Sequence, residues 1–597
     1  MCALTVVTGC AGGTGNPMTM IRALGAGSSA DLQPETIPAA DSSGPLQVIG
    51  DSTASGGAYL DLDTVTPPPA PTSEAFYVDS VSGDDSLDGR SPETAWKSLA
   101  RAGTAAVAPG GSLLFKRGCS WTGSITIPWS GVTVSAYGSG PLPLITNGST
   151  AGSIVNIQGS NNRIAALELR ATSTAHGYLS GFNFSSGAKF NTLFFTKTSG
   201  LYAGVYVNSG ATNNKIVGNT IGPNSMINVN VNDDSGAFGV LVWGDSNEIA
   251  GNDLRGNVGL SDRYGLDGSA VEIYNGSRNW IHHNRASGNL AFSELGVDPR
   301  HAVTGNIYAY NLVTSDLDQA SFMITRGPTR ADGTPQPNGP VNDTRVYGNT
   351  AFLTAATSKG MVCYAHCSPT ILTSENNILV AGLHALESDG SFTEGNNIYW
   401  RVGGSPATTW PISASSQLAD PLFLDAGSDF HLAADSPAIN AGTLDSLSSG
   451  FLYDLDDKKV PIGPRPDIGT YEFGNRTCAS LPNPANGFVT GEVDLPAAAN
   501  YFIWSRIRPA DVAGKSYYVQ VDRRCSIEVG GTDLEPGDWT WVNWRDGRLD
   551  APVAIDKLTA GRHTVRIFGA DPDVGLDRLL FTTDAGCRPR TADDNCG

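Results

Sequence analysis

Between residues 160 and 400 the chain repeats one short pattern: a branched or aliphatic residue, two variable positions, then Asn. It reads Ile216-Val217-Gly218-Asn219, Ile249-Ala250-Gly251-Asn252, Ile281-His282-His283-Asn284, Val303-Thr304-Gly305-Asn306 and Val346-Tyr347-Gly348-Asn349, with successive spacings of 33, 32, 22 and 43 residues. Upstream of most copies lies a second short apolar run, as in Gly204–Val207, Gly239–Val242, Ala270–Ile273 and Ser321–Ile324. Two or more short strands per unit, Gly/Asn turns and a spacing that never falls below 22 predict a solenoid of β-coils. Every second residue of a strand points inward and stacks on the coil below. Asn suits the turns because it tolerates left-handed dihedrals and can bond to its counterpart one coil away. Spacings above 22 are insertions, the place where a solenoid builds its binding face. A propeller requires four strands per repeat and a steadier period, so the expected fold is all-β, a right-handed parallel β-helix.

The flanks differ from this core. Residues 1–10, MCALTVVTGC, end in Val7-Thr8-Gly9-Cys10, which resembles a bacterial lipobox; 1–10 is therefore read as a lipoprotein signal with lipidation at Cys10. Residues 11–75 carry Gly, Ser, Pro and acids without a period and are read as a disordered tether. Residues 76–475 form the β-helix. From 484 to 587, runs such as Tyr517–Asp522, Asp538–Trp544 and Gly561–Ile567 alternate apolar and polar residues, which predicts an antiparallel sandwich.

Three resemblances sharpen this. Phe76–Ser80, Gly83–Gly89, Ser91-Pro92 and Ala95–Leu99, with Gly111–Gly118 and Val132–Gly138, look like the opening coils of pectate-lyase-like β-helix proteins. Asp420–Phe423, Asp429–Leu432, Ser436–Gly442 and Arg465–Glu472 resemble the closing segment of exported bacterial β-helix proteins. Gly575–Thr582 is similar to the last strand of jelly-roll carbohydrate-binding modules. These resemblances imply a carbohydrate-active, exported protein, secreted or held at the cell surface. They do not imply a reaction, because that superfamily contains lyases, hydrolases, epimerases and adhesins. Trp539 and Trp541 share one strand face and are either core or a stacking platform for sugar rings.

Charge narrows the partners. With 38 Lys+Arg against 58 Asp+Glu the formal charge is −20, which argues against nucleic acid. No apolar run approaches a membrane span, so the membrane is a partner only through an anchor at Cys10. The protein is expected to act as a monomer on a polysaccharide. No Cys-x-x-Cys pair or nearby His cluster indicates zinc, and no cofactor motif is present. Cys478, Cys525, Cys587 and Cys596 lie in or beside the C-terminal module, where export permits disulfides.

One coil carries candidate chemistry. Glu272 falls between Val271 and Ile273, the inward positions of its strand, and so faces outward; Glu294 follows 22 residues on, one minimal coil away. Equivalent positions on neighbouring coils hold Tyr206, Leu241 and Met323, so the acids are confined to two rungs. Two carboxylates one strand spacing apart repel, and one keeps its proton to higher pH. A protonated acid beside an ionised one is what glycoside cleavage uses. Asp267, on the turn leading into the Glu272 strand, is a competing partner, and the sequence leaves the pairing open. The same acids can instead bind a cation such as calcium or sit in ion pairs with Arg263 or Arg300. The substrate-binding candidates are Arg263, Tyr274, Trp243, His283, Arg300, His301 and Arg326. Asp298-Pro299-Arg300-His301 partly resembles the Asp-Pro-His-Asp stretch of mannuronan epimerases, but lacks its His and final acid. His282 and His283 occupy variable slots that hold filler elsewhere. The leading expectation is a polysaccharide-cleaving glycoside hydrolase. A polysaccharide lyase or epimerase acting on a uronate-containing glycan, with Arg263, Arg300 or Arg326 as base, is the runner-up. A non-catalytic glycan-binding protein is the rival of another class.

Overall fold

A computed structural model describes residues 74–230, 233–402, 407–427, 429–433, 435–444, 453–456 and 458–473, and most of 488–589. It also describes four short strands among the first 73 residues, one of which, Thr5–Gly9, pairs parallel to Arg578–Thr582. Cys10, the rest of the expected tether, Cys478, Cys525 and Cys596 lie outside the described residues.

The repeat winds into a right-handed parallel β-helix with three long parallel sheets of 12, 11 and 10 strands. Each coil visits them in that order, as in Arg163–Ala165, Glu168–Ala171 and Ser180–Phe184. Period two does the rest. Along the 10-stranded sheet Phe182, Val205, Val240 and Val271 point inward in one stack, and all are fully buried. Apolar burial of this kind stabilises by roughly 25 cal/mol per Å², and stacking like on like leaves no gap between coils.

The Asn positions form ladders. In one, Asn219, Asn252, Asn284, Asn311, Asn349 and Asn377 are buried, and each backbone N–H donates to the side-chain oxygen of the next at 2.9–3.1 Å. Turn amides buried between coils would otherwise be left without partners. A second ladder, Asn162–Asn191–Asn214–Asn247–Asn279–Asn306, runs along the other end of the same strands. The two ladders correct one repeat. Val303–Asn306 belongs to the second ladder, and the true neighbour of Ile281 is Tyr308, in Tyr308-Ala309-Tyr310-Asn311. An aromatic residue in the aliphatic slot hid that copy, so the coil is 27 residues long and not 22. The left-handed slot after each strand holds Gly218, Gly251 and Gly348, but also His283 (φ 52°) and Tyr310 (φ 51°).

The closing segment does not add coils. It returns along the outside of the helix, with Ile468 and Leu432 packed on Ile378 and Val380. The Thr470 hydroxyl donates to the Asn311 carbonyl at 3.2 Å, and the Arg285 guanidinium donates to the Tyr471 hydroxyl at 2.8 Å.

Residues 488–582 form two antiparallel sheets around one core that includes Val493, Ile503, Val519, Val542 and Phe581. Trp539 and Trp541 lie outside this core: Trp541 is half-buried, and Trp539 is exposed with the Arg506 and Arg508 guanidiniums 5.4 and 5.0 Å from its ring. Cys363 and Cys367 form a disulfide, Cys587 is disulfide-bonded, and Cys119 is free and buried.

Candidate active site

Strands Ser269–Tyr274 and Ala291–Gly296 are neighbours in the 10-stranded sheet, and their register sets Glu272 beside Glu294. Val271, Ile273 and Leu295 are fully buried, so both carboxyl groups emerge on the outer face. Adjacent strands are about 4.8 Å apart. Leu241 precedes Glu272 in this column, and Tyr206 precedes Leu241. On the far side the column continues through Ile324 and not Met323: Met323 pairs with Ser293 and is buried in the core. The strand runs one residue out of the expected phase because Ser321 aligns with Ala291 and Ser269 and not with Ala270.

The two carboxyls have unlike surroundings. Arg326 ion-pairs with Glu294; its side chain is 5% exposed against 36% for Glu294. Glu272 accepts a hydrogen bond from the Ser269 hydroxyl at 2.9 Å. Burial first, then the neighbouring charge of Glu294, raises Glu272 well above the usual carboxylate range; Asp267 adds to this, and Ser269 and Arg326 oppose it. Asp267 closes a small hairpin, Gly259–Ser261 with Gly265–Asp267, and accepts the Gly268 amide at 2.9 Å. Burial and the charges of Glu294, Asp233 and Asp234 push it up to about 7. The three acids act on one another electrostatically and form one group. Within it Glu272 is the carboxyl that burial favours in its protonated form, Glu294 is ion-paired with Arg326, and Asp267 is raised to about 7.

A second column runs beside the acids: Trp243, Tyr274, Gly296, Arg326 and Tyr364. Trp243 and Tyr274 have ring centroids 5.1 Å apart. A Cβ at Gly296 would sit 2.9 Å from the Tyr274 ring, so this glycine is the gap into which that ring leans. The Arg326 guanidinium lies 5.4 Å from the Tyr364 ring centroid. Trp243, Tyr274 and Arg326 thus lie next to the acids.

The other candidates are placed elsewhere. Arg263 is exposed at the tip of the Asp267 hairpin, where its backbone N–H donates to Asp234 at 3.0 Å. Arg300 is bound through both nitrogens of its fork to Asp298 and is 82% exposed; His301, also exposed, is 3.8 Å from the same carboxylate. His283 is a correction. It sits at a turn of the 12-stranded sheet, buried under the closing segment, with Nε2 3.2 Å from the Tyr453 carbonyl and Nδ1 2.9 Å from His282 Nδ1. It lines no groove. Burial, reinforced by His282, pushes its pKa well below the usual imidazole value. His282 in turn faces Glu248, which burial would raise but Lys215 and His282 hold down to about 2.

Sequence reasoning missed Ser269, Gly296 and Tyr364. Ser269 lies three residues before Glu272, and its hydroxyl reaches back along the strand. Gly296 and Tyr364 are visible only once Arg326 is known to sit between them. Among the described residues no group of three or more His, Cys, Asp or Glu side chains converges as a metal site.

No family model matches this chain, and no curated protein matches it. Among solved structures it is similar to a GH136 lacto-N-biosidase from Eubacterium ramulus, at 14% identity over 56% of this chain and TM-score 0.37. The match spans 65% of that protein, somewhat less than two-thirds of its length. It is also similar to a pectate lyase (17% identity, 67% of this chain, 98% of that one, TM-score 0.38) and a rhamnogalacturonan lyase (13%, 58%, 87%, 0.38).

Proposed function

We propose that this protein is a glycoside hydrolase that binds a polysaccharide across the 10-stranded sheet and cleaves it with Glu272 and Glu294. The observation that supports the reading is the in-register pair of carboxyls in unlike surroundings, Glu272 raised well above the usual carboxylate range by burial and Glu294 ion-paired with Arg326. Glu272, protonated, gives its proton to the glycosidic oxygen as the bond to the anomeric carbon breaks. Glu294, paired with Arg326, attacks that carbon and forms a glycosyl ester. Water, deprotonated by Glu272, then hydrolyses the ester and returns both groups to their starting states. A carboxyl separation of about 5–5.5 Å fits this retaining route, and about 6.5–9.5 Å fits inversion; a strand spacing of about 4.8 Å favours the first. Asp267, which is also protonated to about 7, is the second candidate acid.

Elimination is the weaker reading for a chemical reason. It needs a strong base, and two of the three candidates, Arg326 and Arg300, are each in an ion pair whose carboxylate partner raises the arginine's pKa, while the third, Arg263, is exposed at the tip of the Asp267 hairpin. The proposal extends to export with anchoring at Cys10, and to glycan binding by the C-terminal sandwich. Glu272→Gln should lower turnover roughly a hundred- to ten-thousandfold without lowering Tm. Hydrolysis yields products one water heavier than the substrate, whereas elimination yields unsaturated products that absorb in the ultraviolet. A fully active Glu272→Gln variant removes Glu272 from the mechanism. Glycan affinity with no product leaves a binding protein.

A further inference from the structure

A cleft of about 510 Å³ opens at the Tyr364 end of the second column, and Tyr364, Arg330, Asn338 and Asp389 are among the residues that line it. One wall is the 327–340 insertion, absent from the shorter coils. The insertion is tied to the acid-bearing rung: the Val297 N–H donates to the Asn338 carbonyl at 3.2 Å, just past Glu294 and Gly296. The other wall is the turn closed by the Cys363–Cys367 disulfide, where Asp389 accepts the His366 and Cys367 amides at 3.1 and 3.0 Å. The walls meet closely at Gly327, whose amide donates to the Tyr364 carbonyl at 2.8 Å and where a Cβ would lie 2.4 Å from the Ala365 carbonyl. The cleft is therefore built before any ligand arrives.

Its position fixes its role. Trp243 and Tyr364 end a column of five rungs, about 19 Å at the strand spacing, and Glu272 and Glu294 flank the middle of that column. A chain lying along the column with its reacting bond at the acids reaches the cleft about 12 Å further on, more than one sugar unit away. We propose that this cleft is a sugar subsite beyond the reacting bond, taking a neutral pyranose; the assignment rests on the glycosidase reading above.

Three features select that ligand. Tyr364 is 36% exposed, and its ring offers an apolar face to sugar C–H groups. Arg330, Asn338 and Asp389 supply planar donors and acceptors together, which matches hydroxyls that both donate and accept. Arg330 and Asp389, one cation and one anion, both line the cleft, so its lining carries no net charge, and Asp389 is oriented by two amides. A carboxylated sugar meets the Asp389 carboxylate in the wall, and like charges repel in a partly dehydrated cleft.

The test uses the full chain carrying Glu272→Gln for binding and the wild-type background for turnover. Calorimetry is run with hexasaccharides of glucose, galactose and N-acetylglucosamine, and with hexagalacturonate. The expected result is affinity for a neutral hexamer that Tyr364→Ala lowers about tenfold, that Asn338→Ala also lowers, and a ratio of long- to short-substrate kcat/KM that falls in both variants. Cleavage of a neutral glycan with affinity and ratio unchanged in both variants overturns the subsite and leaves the hydrolase reading standing. Binding of hexagalacturonate alone overturns the neutral class. No binding and no cleavage of any probe overturns the subsite together with the reading beneath it.

Discussion

Asp267→Asn isolates the electrostatic tension of the acid group. Asp267 is pushed from 3.8 to about 7 by burial and by Glu294, Asp233 and Asp234. In the unfolded chain it ionises near pH 4, so between about pH 4 and 7 only the folded protein keeps the proton. The folded state then binds more protons than the unfolded one, and stability falls as pH rises through that window, becoming flat above it. A difference of about three pH units sets a ceiling of ~4 kcal/mol at pH 8; the carboxyl borders an open groove, and solvent screening reduces this to about 2 kcal/mol. The Asn side chain still accepts the Gly268 amide. D267N should therefore match the wild type at pH 4 and exceed it by about 2 kcal/mol at pH 8. With an unfolding entropy of ~2.1 cal/mol/K per residue over roughly 400 residues, that is about 2 °C in Tm. Scanning calorimetry of both proteins from pH 4 to 8 reads it directly. Tm curves that run parallel across the window, or a variant less stable at pH 8, would refute the reasoning.

Two further outcomes are expected. Arg326→Met removes the cation paired with Glu294 and should lower kcat with a displaced pH profile; Arg326→Lys should restore part of the activity, a pattern that loss of packing alone would not give. Asn284→Ala takes away the acceptor for the Asn252 backbone N–H and side-chain amide, both buried, and should cost about 2–3 kcal/mol, read as a lower midpoint in denaturant.

The carboxyl pair was legible because two rules act together. Period two places Glu272 outside when Val271 and Ile273 are inside, and a minimal coil of 22 residues leaves no room for a register slip. The same counting misplaced Met323, since Ser321 aligns with Ser269 and not with Ala270, and one residue reverses the face. His283 misled for another reason. It occupies a left-handed turn position usually held by glycine, and its surroundings come from Tyr453, 170 residues away. The cleft at Tyr364 joins an insertion to a disulfide-closed turn in the next coil, and local sequence pattern carries no information about that meeting.

The returning segment changes how the acid-bearing coils hold together. In an open solenoid each winding depends only on its immediate neighbours, and an end can unravel one layer at a time. Here Thr470 and Tyr471 of the closing segment touch several layers, reaching Arg285, Asn311 and Thr350. Layers wound early in synthesis therefore wait for amino acids added well over a hundred positions later before they are braced, and the groove's rigidity belongs to the finished chain.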